Sequence, residues 1–186
     1  MVRAIARSPT VAALAAATAL LAGGCAGNVA APAPGHEAHA GPVSGVVSSI
    51  TTDGSIIELT DGSVFALVSG DASRWLDQRV RTVSGGAIMI DVASGEKGEA
   101  QYVGSVRHPR TYANGGEHNQ ESGSPDGSLI LLDDGSVWSI PPDERSRTST
   151  WAEGASVSVE PGPHGRYRLT NGASGSTVLA TYVGEK

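Results

Sequence analysis

Disulfides, a large aromatic core and a cationic surface are all missing from this sequence. A single cysteine, Cys25, stands among 186 residues, so neither an internal disulfide nor a cysteine-built zinc cluster can form. Aromatic residues make up only 4% of the chain, as one Phe, three Trp and four Tyr. Charged residues reach 17%, and 13 Lys and Arg against 19 Asp and Glu leave a net charge of −6. That balance excludes a nucleic-acid binder working through a general cationic surface. Glycine, by contrast, is abundant at 25 residues, while 10 prolines are ordinary, so turns are dense without the combined excess that marks disorder. The length suits one medium domain or two small ones.

The N-terminus accounts for the lone thiol. Arg3 and Arg7 give a positive leader, and Val11–Leu21 form an uncharged Ala/Leu stretch of the length of a signal-peptide core, too short to span a bilayer. The segment Leu21-Ala22-Gly23-Gly24-Cys25 then resembles the lipobox of bacterial lipoproteins. The resemblance implies a signal peptide over residues 1–24 and a mature chain that starts at Cys25, carrying diacylglycerol and an N-acyl group. It also implies outer-membrane sorting, because Ala26 stands where an Asp favours inner-membrane retention. Removing residues 1–24 takes away two cations and no carboxylate, so the lipid, not a basic patch, holds the body at an anionic membrane. Residues 25–42, rich in Ala, Pro and Gly, read as the lipidated end and a flexible linker.

Beyond the linker the chain repeats itself. Thr52–Phe65 aligns without gaps on Pro125–Trp138, with Asp53 on Asp126 and Asp61 on Asp134. With small gaps Trp75 falls on Trp151, Asp91 on Asn171, and Ala100–Gly104 (AQYVG) on Ala180–Gly184 (ATYVG). Six of the eight aromatic residues thereby occur at matching places, which assigns them to two small cores. Each repeat carries an Asp-Gly turn between short β-rich runs, a strong hairpin signal. The expected fold is all-β: two tandem antiparallel barrel-like units, SH3-like or OB-like, of about five strands each. Unit one covers 43–106, a polar linker 107–124, and unit two 125–186. The stretch 116–123 (GEHNQESG), opposite the first strand of unit one, has no apolar residue, and an edge borrowed from unit one is expected there. The repeat is similar to small β domains of uncharacterised bacterial envelope proteins.

Chemistry-bearing residues are sparse. His36 and His39 place two imidazoles within four residues and suit Zn or Cu, yet H-E-x-x-H is absent and the linker does not preorganise them. His108, His118 and His164 are scattered through expected loops. The four Asp-Gly-Ser turns lack calcium-loop spacing. Arg107, Arg110 and Tyr112 form the one clustered basic and aromatic stretch and are the candidate binding surface for an acidic or glycan partner. The sequence points to a non-enzymatic envelope module that contacts an envelope protein or peptidoglycan through a barrel face or by strand addition, needs no cofactor beyond the lipid on Cys25, and does not bind nucleic acid. A metal-handling lipoprotein using His36 and His39, or a periplasmic hydrolase of unrecognised type, are the alternatives.

Overall fold

A computed structural model describes residues 42–186 and resolves them into two six-stranded antiparallel barrels in tandem. The first comprises β1 (Ser44–Ile50), β2 (Ile56–Leu59), β3 (Ser63–Ser69), β4 (Arg79–Val83), β5 (Ile88–Asp91) and β6 (Lys97–Ser105). The second comprises β7 (Gly116–Gly123), β8 (Leu129–Leu132), β9 (Ser136–Ser139), β10 (Ser156–Pro161), β11 (Tyr167–Asn171) and β12 (Thr177–Glu185), with a one-turn helix α1 (Arg145–Thr148) before β10. The order β1-β2-β3-β6-β5-β4 closes on itself, and β7-β8-β9-β12-β11-β10 closes in the same way. Closure leaves these strands paired on both sides, so the expectation of strand addition at an open sheet edge is set aside.

The repeat is visible in local chemistry before it is visible in topology. At all four Asp-Gly-Ser turns the Asp Oδ1 accepts the N–H of the Ser two residues on, at 3.1 Å (Asp53), 2.9 Å (Asp61), 3.1 Å (Asp126) and 3.0 Å (Asp134). These are Asx turns, and the glycine after each Asp takes up the positive φ that the tight reversal needs. The β5–β6 and β11–β12 turns match too: the side chains of Asp91 and Asn171 each accept from the backbone N–H groups two and three residues on.

Each barrel encloses an apolar core. In the first, Val47, Ile57, Leu59, Phe65, Val80 and Met89 are fully buried and Trp75 closes one end, its indole N–H donating to Glu96 at 3.2 Å. Trp151 repeats this in the second, donating to Ser176 at 2.7 Å. Both tryptophans therefore pack as core residues with their one polar atom satisfied.

The strand count and one boundary differ from the sequence expectation. Each barrel has six strands, not about five, and the extra strand of the second is β7, inside the stretch assigned to a polar linker. The second barrel starts at 116, and it completes itself without an edge from the first. β7 pairs with β8 (Gln120 opposite Leu132) and β10 (Val157 opposite His118), so backbone hydrogen bonding holds it where apolar alternation is absent. The missing bulk arrives from elsewhere: Tyr112, in the connector, turns inward and is only 6% exposed. Its ring packs at 4.9 Å from Trp138, 5.0 Å from Tyr182 and 5.9 Å from Tyr167, forming an aromatic cluster that the first barrel lacks.

The barrels share a third apolar cluster between them, built from Ile56, Val64, Ala66 and Val103 on one side and Leu129, Leu131, Val137 and Val183 on the other. Contacts across it are reciprocal. A Cβ placed on Gly104 would lie 2.2 Å from the Val183 carbonyl oxygen, and one placed on Gly184 would lie 2.4 Å from that of Val103. The repeated Tyr-Val-Gly thus ends in glycine because β6 and β12 approach backbone to backbone. Polar groups follow the same exchange: Ser122 Oγ donates to Asp53 Oδ1 at 3.0 Å and Ser49 Oγ to Asp126 Oδ1 at 3.3 Å.

Candidate functional site

Two places gather polar groups that the cores do not consume. The first is a cleft of about 330 Å³ where the β1–β2 turn meets the first Asp-Gly-Ser turn of the second barrel. Ser49, Thr52, Asp77, Pro125 and Asp126 line it, and Leu76, half exposed, stands at its mouth. The wall is braced across the barrels: Ser128 Oγ donates to Ser49 Oγ at 2.7 Å, Thr52 Oγ1 donates to Glu153 at 2.7 Å, and the Thr52 N–H to the Gly123 carbonyl at 2.9 Å. Burial pushes the Asp53 and Asp126 carboxyls up, but hydrogen bonds from neighbouring hydroxyls and backbone outweigh it and leave both below the usual carboxylate range. Both are therefore anionic at neutral pH. The cleft surface is mostly apolar, with the Asp77 and Asp126 carboxylates among its lining, and Arg145 Nη1 already stands 3.6 Å from Asp126 Oδ2, so it suits a segment offering an aliphatic side chain and a few hydrogen-bond donors.

The second lies on the second barrel alone. β7 carries His118, and the β8–β9 turn carries Asp133 and Asp134; the β7–β8 pairing sets the strand position of His118 beside that turn. His118 Nδ1 is 3.6 Å from Asp133 Oδ1 and 3.8 Å from Asp134 Oδ2. Asp133 Oδ2 accepts from Asn119 Nδ2 at 2.8 Å, and this hydrogen bond holds the Asp133 carboxyl below its ordinary range. Asp134 Oδ2 accepts from the Tyr112 hydroxyl at 2.5 Å. Burial raises the Asp134 carboxyl, but the hydrogen bonds from Ser136 and Tyr112 prevail and lower it. Burial and the Asp134 carboxylate together push the Tyr112 phenol well above its usual value, so Tyr112 stays a hydroxyl donor.

The residues singled out in the sequence fare differently. Cys25, His36 and His39 lie outside the described residues. Arg107 is exposed and Arg110 half-buried, with the Arg110 N–H donating to the Tyr182 carbonyl at 3.3 Å. Tyr112 does not join them at the surface. Its ring fills the second barrel because β7 supplies no apolar side chain, so the proposed stacking face loses its aromatic member. His108 and His164 are exposed and stay apart, whereas His118 belongs to a strand and meets two carboxylates from a distant turn. The signal that bears on this meeting is register: the strand preceding an Asp-Gly hairpin runs antiparallel to its first arm, and His118 lies on it near the turn.

No protein-family model, characterised protein or solved structure matches this chain.

Proposed function

We propose that this chain is a lipid-anchored protein of the bacterial cell envelope, attached to the outer membrane through acylated Cys25, whose joined barrels form a non-enzymatic binding module for an envelope protein. The observation that carries the anchor is Leu21-Ala22-Gly23-Gly24-Cys25 at the end of an uncharged Ala/Leu stretch, followed by a linker of Ala, Pro and Gly. The linker lets the body reach away from the membrane surface, which its own acidity disfavours. The binding reading is supported by the cleft between the barrels, where Asp77 and Asp126 accompany the Ser and Thr hydroxyls and Leu76 lies open at the rim. A partly extended segment of another protein that offers an aliphatic side chain and hydrogen-bond donors is the occupant this mostly apolar lining suits.

Fractionation of Cys25→Ser cells tests the anchor, and the expected result is loss of the protein from the outer membrane or an uncleaved precursor. Recovery of a processed form in the outer membrane overturns it. A photo-crosslinking side chain placed at Leu76 in intact cells tests the cleft, with Val92, equally exposed but outside the cleft, as the comparison. One envelope protein captured at Leu76 and not at Val92 is expected; equal capture at both, capture at neither, or capture of peptidoglycan instead overturns the assignment.

A further inference from the structure

The proton on His118 can be placed by accounting. Its Nε2 lies 3.0 Å from the Asn114 carbonyl oxygen and 2.9 Å from the Tyr112 hydroxyl oxygen. A carbonyl only accepts, and the Tyr112 hydroxyl already spends its one proton on Asp134. Nε2 is therefore the protonated nitrogen, shared between two acceptors. This orientation aims Nδ1 at Asp133 Oδ1 and Asp134 Oδ2, at separations too long for hydrogen bonds. An imidazole nitrogen facing two anionic oxygens calls for a positive charge between them.

We infer that His118 Nδ1, Asp133 Oδ1 and Asp134 Oδ2 bind a divalent first-row transition-metal ion of the Zn²⁺ class. The three donor atoms lie within 4.8 Å of one another. Two ligands about 2.1 Å from a tetrahedral metal stand about 3.4 Å apart, close to the two nitrogen–oxygen separations here. Mixed imidazole and carboxylate donors suit Zn, Ni or Cu better than Mg or Ca, which prefer oxygen alone. Each ligand is also braced on its far side, as metal ligands are: His118 by Asn114, Asp133 by Asn119, and Asp134 by the Ser136 N–H on Oδ1, while the Tyr112 hydroxyl orients the Oδ2 that faces the ion. The side chains are 13%, 46% and 20% exposed in the order His118, Asp133, Asp134, so solvent completes the coordination and the ion can exchange.

The site belongs to one repeat only. At the places of His118 and Asp133 the first barrel has Gly45 and Thr60, which supply no ligand, although Asp61 matches Asp134. The polar character of β7, opaque as a core-forming strand, is accounted for by a strand that also delivers a ligand.

The test uses the full chain stripped of metal by chelation, in a His36→Ala/His39→Ala background so that the linker pair does not contribute. Calorimetric titration with ZnCl₂ is expected to show one bound equivalent, and Co²⁺ to give the visible absorption of a low-coordinate site that Zn²⁺ abolishes. His118→Ala and Asp133→Asn are each expected to weaken Zn²⁺ by at least about tenfold, with Asn119→Ala costing on the order of tenfold through loss of the brace. Asp133 is the most exposed of the three, so circular dichroism of Asp133→Asn guards against a folding defect in His118→Ala. No saturable Zn²⁺ binding in the background protein, or binding that survives both ligand substitutions unchanged, overturns the inference.

Discussion

Glu58 holds in the first barrel the place that Leu131 holds in the second: Glu58 pairs with Ser49, and Leu131 with Ser122. Leu131 is fully buried in the apolar seam, whereas Glu58 brings a carboxyl there whose Oε2 has no hydrogen-bond partner. Burial pushes the Glu58 carboxyl up to about 7, with Asp126 adding to the rise and Arg145 opposing it.

A carboxyl whose native pKa exceeds its unfolded value of 4.5 binds more protons in the folded state, so stability falls as pH rises from about 4.5 to 7 and the penalty persists above. Its size is about 3 kcal/mol. Glu58→Gln removes that pH dependence, and Glu58→Leu adds apolar burial matching the second barrel. Urea melts at pH 5 and pH 8 are expected to show both variants gaining more over the wild type at pH 8 than at pH 5. An unchanged pH slope in Glu58→Gln assigns the carboxyl no role in stability.

The glycines of the repeated Tyr-Val-Gly give a second expectation. Gly104→Ala or Gly184→Ala drives a methyl into a carbonyl oxygen of the facing strand, and backbone on both sides leaves no flexible side chain to yield. Each substitution is expected to cost about 3 kcal/mol, at the upper end of overpacking penalties. Loss is expected at the seam first, so denaturation of either variant is expected to proceed in two transitions as the barrels uncouple. A melt indistinguishable from wild type contradicts the close approach.

Tyr112 separates packing from hydrogen bonding. Tyr112→Ala empties the centre of the aromatic cluster and is expected to cost about 3–5 kcal/mol. Tyr112→Phe keeps the ring against Trp138 and loses the hydroxyl's bonds to Asp134 and His118, for about 1–3 kcal/mol. Near-ultraviolet circular dichroism, which reports the Trp138 surroundings, is expected to change strongly for Ala and little for Phe. Equal losses in the two variants contradict a core role for the ring.

Much of this architecture is legible in the chain because its signals are local. Asp-Gly turns, alternating apolar runs and matched aromatics locate β2–β3, β8–β9 and both capping tryptophans. β7 is not legible, since Gly116–Gly123 is held by main-chain hydrogen bonds to β8 and β10, and side-chain periodicity carries no record of a core filled from the connector by Tyr112. The His118, Asp133 and Asp134 cluster escapes for a related reason. Its members are separated in sequence and meet only through strand register. The seam is half legible: Tyr-Val-Gly is evident as a repeat, but only the facing Val183 and Val103 carbonyls explain the glycine.

The reciprocal contacts of Gly104 with Val183 and Gly184 with Val103 are those of an isologous interface, in which each partner offers the other the same surface. In a homodimer every substitution appears twice, so a glutamate at the seam would bring a second, identical carboxylate to the same interface. Covalent linkage of the halves lifts that constraint. A single chain can place an acid in one copy and leucine in the other, or polarise one first strand for a ligand while its twin keeps Val47 and Ile50 in the core.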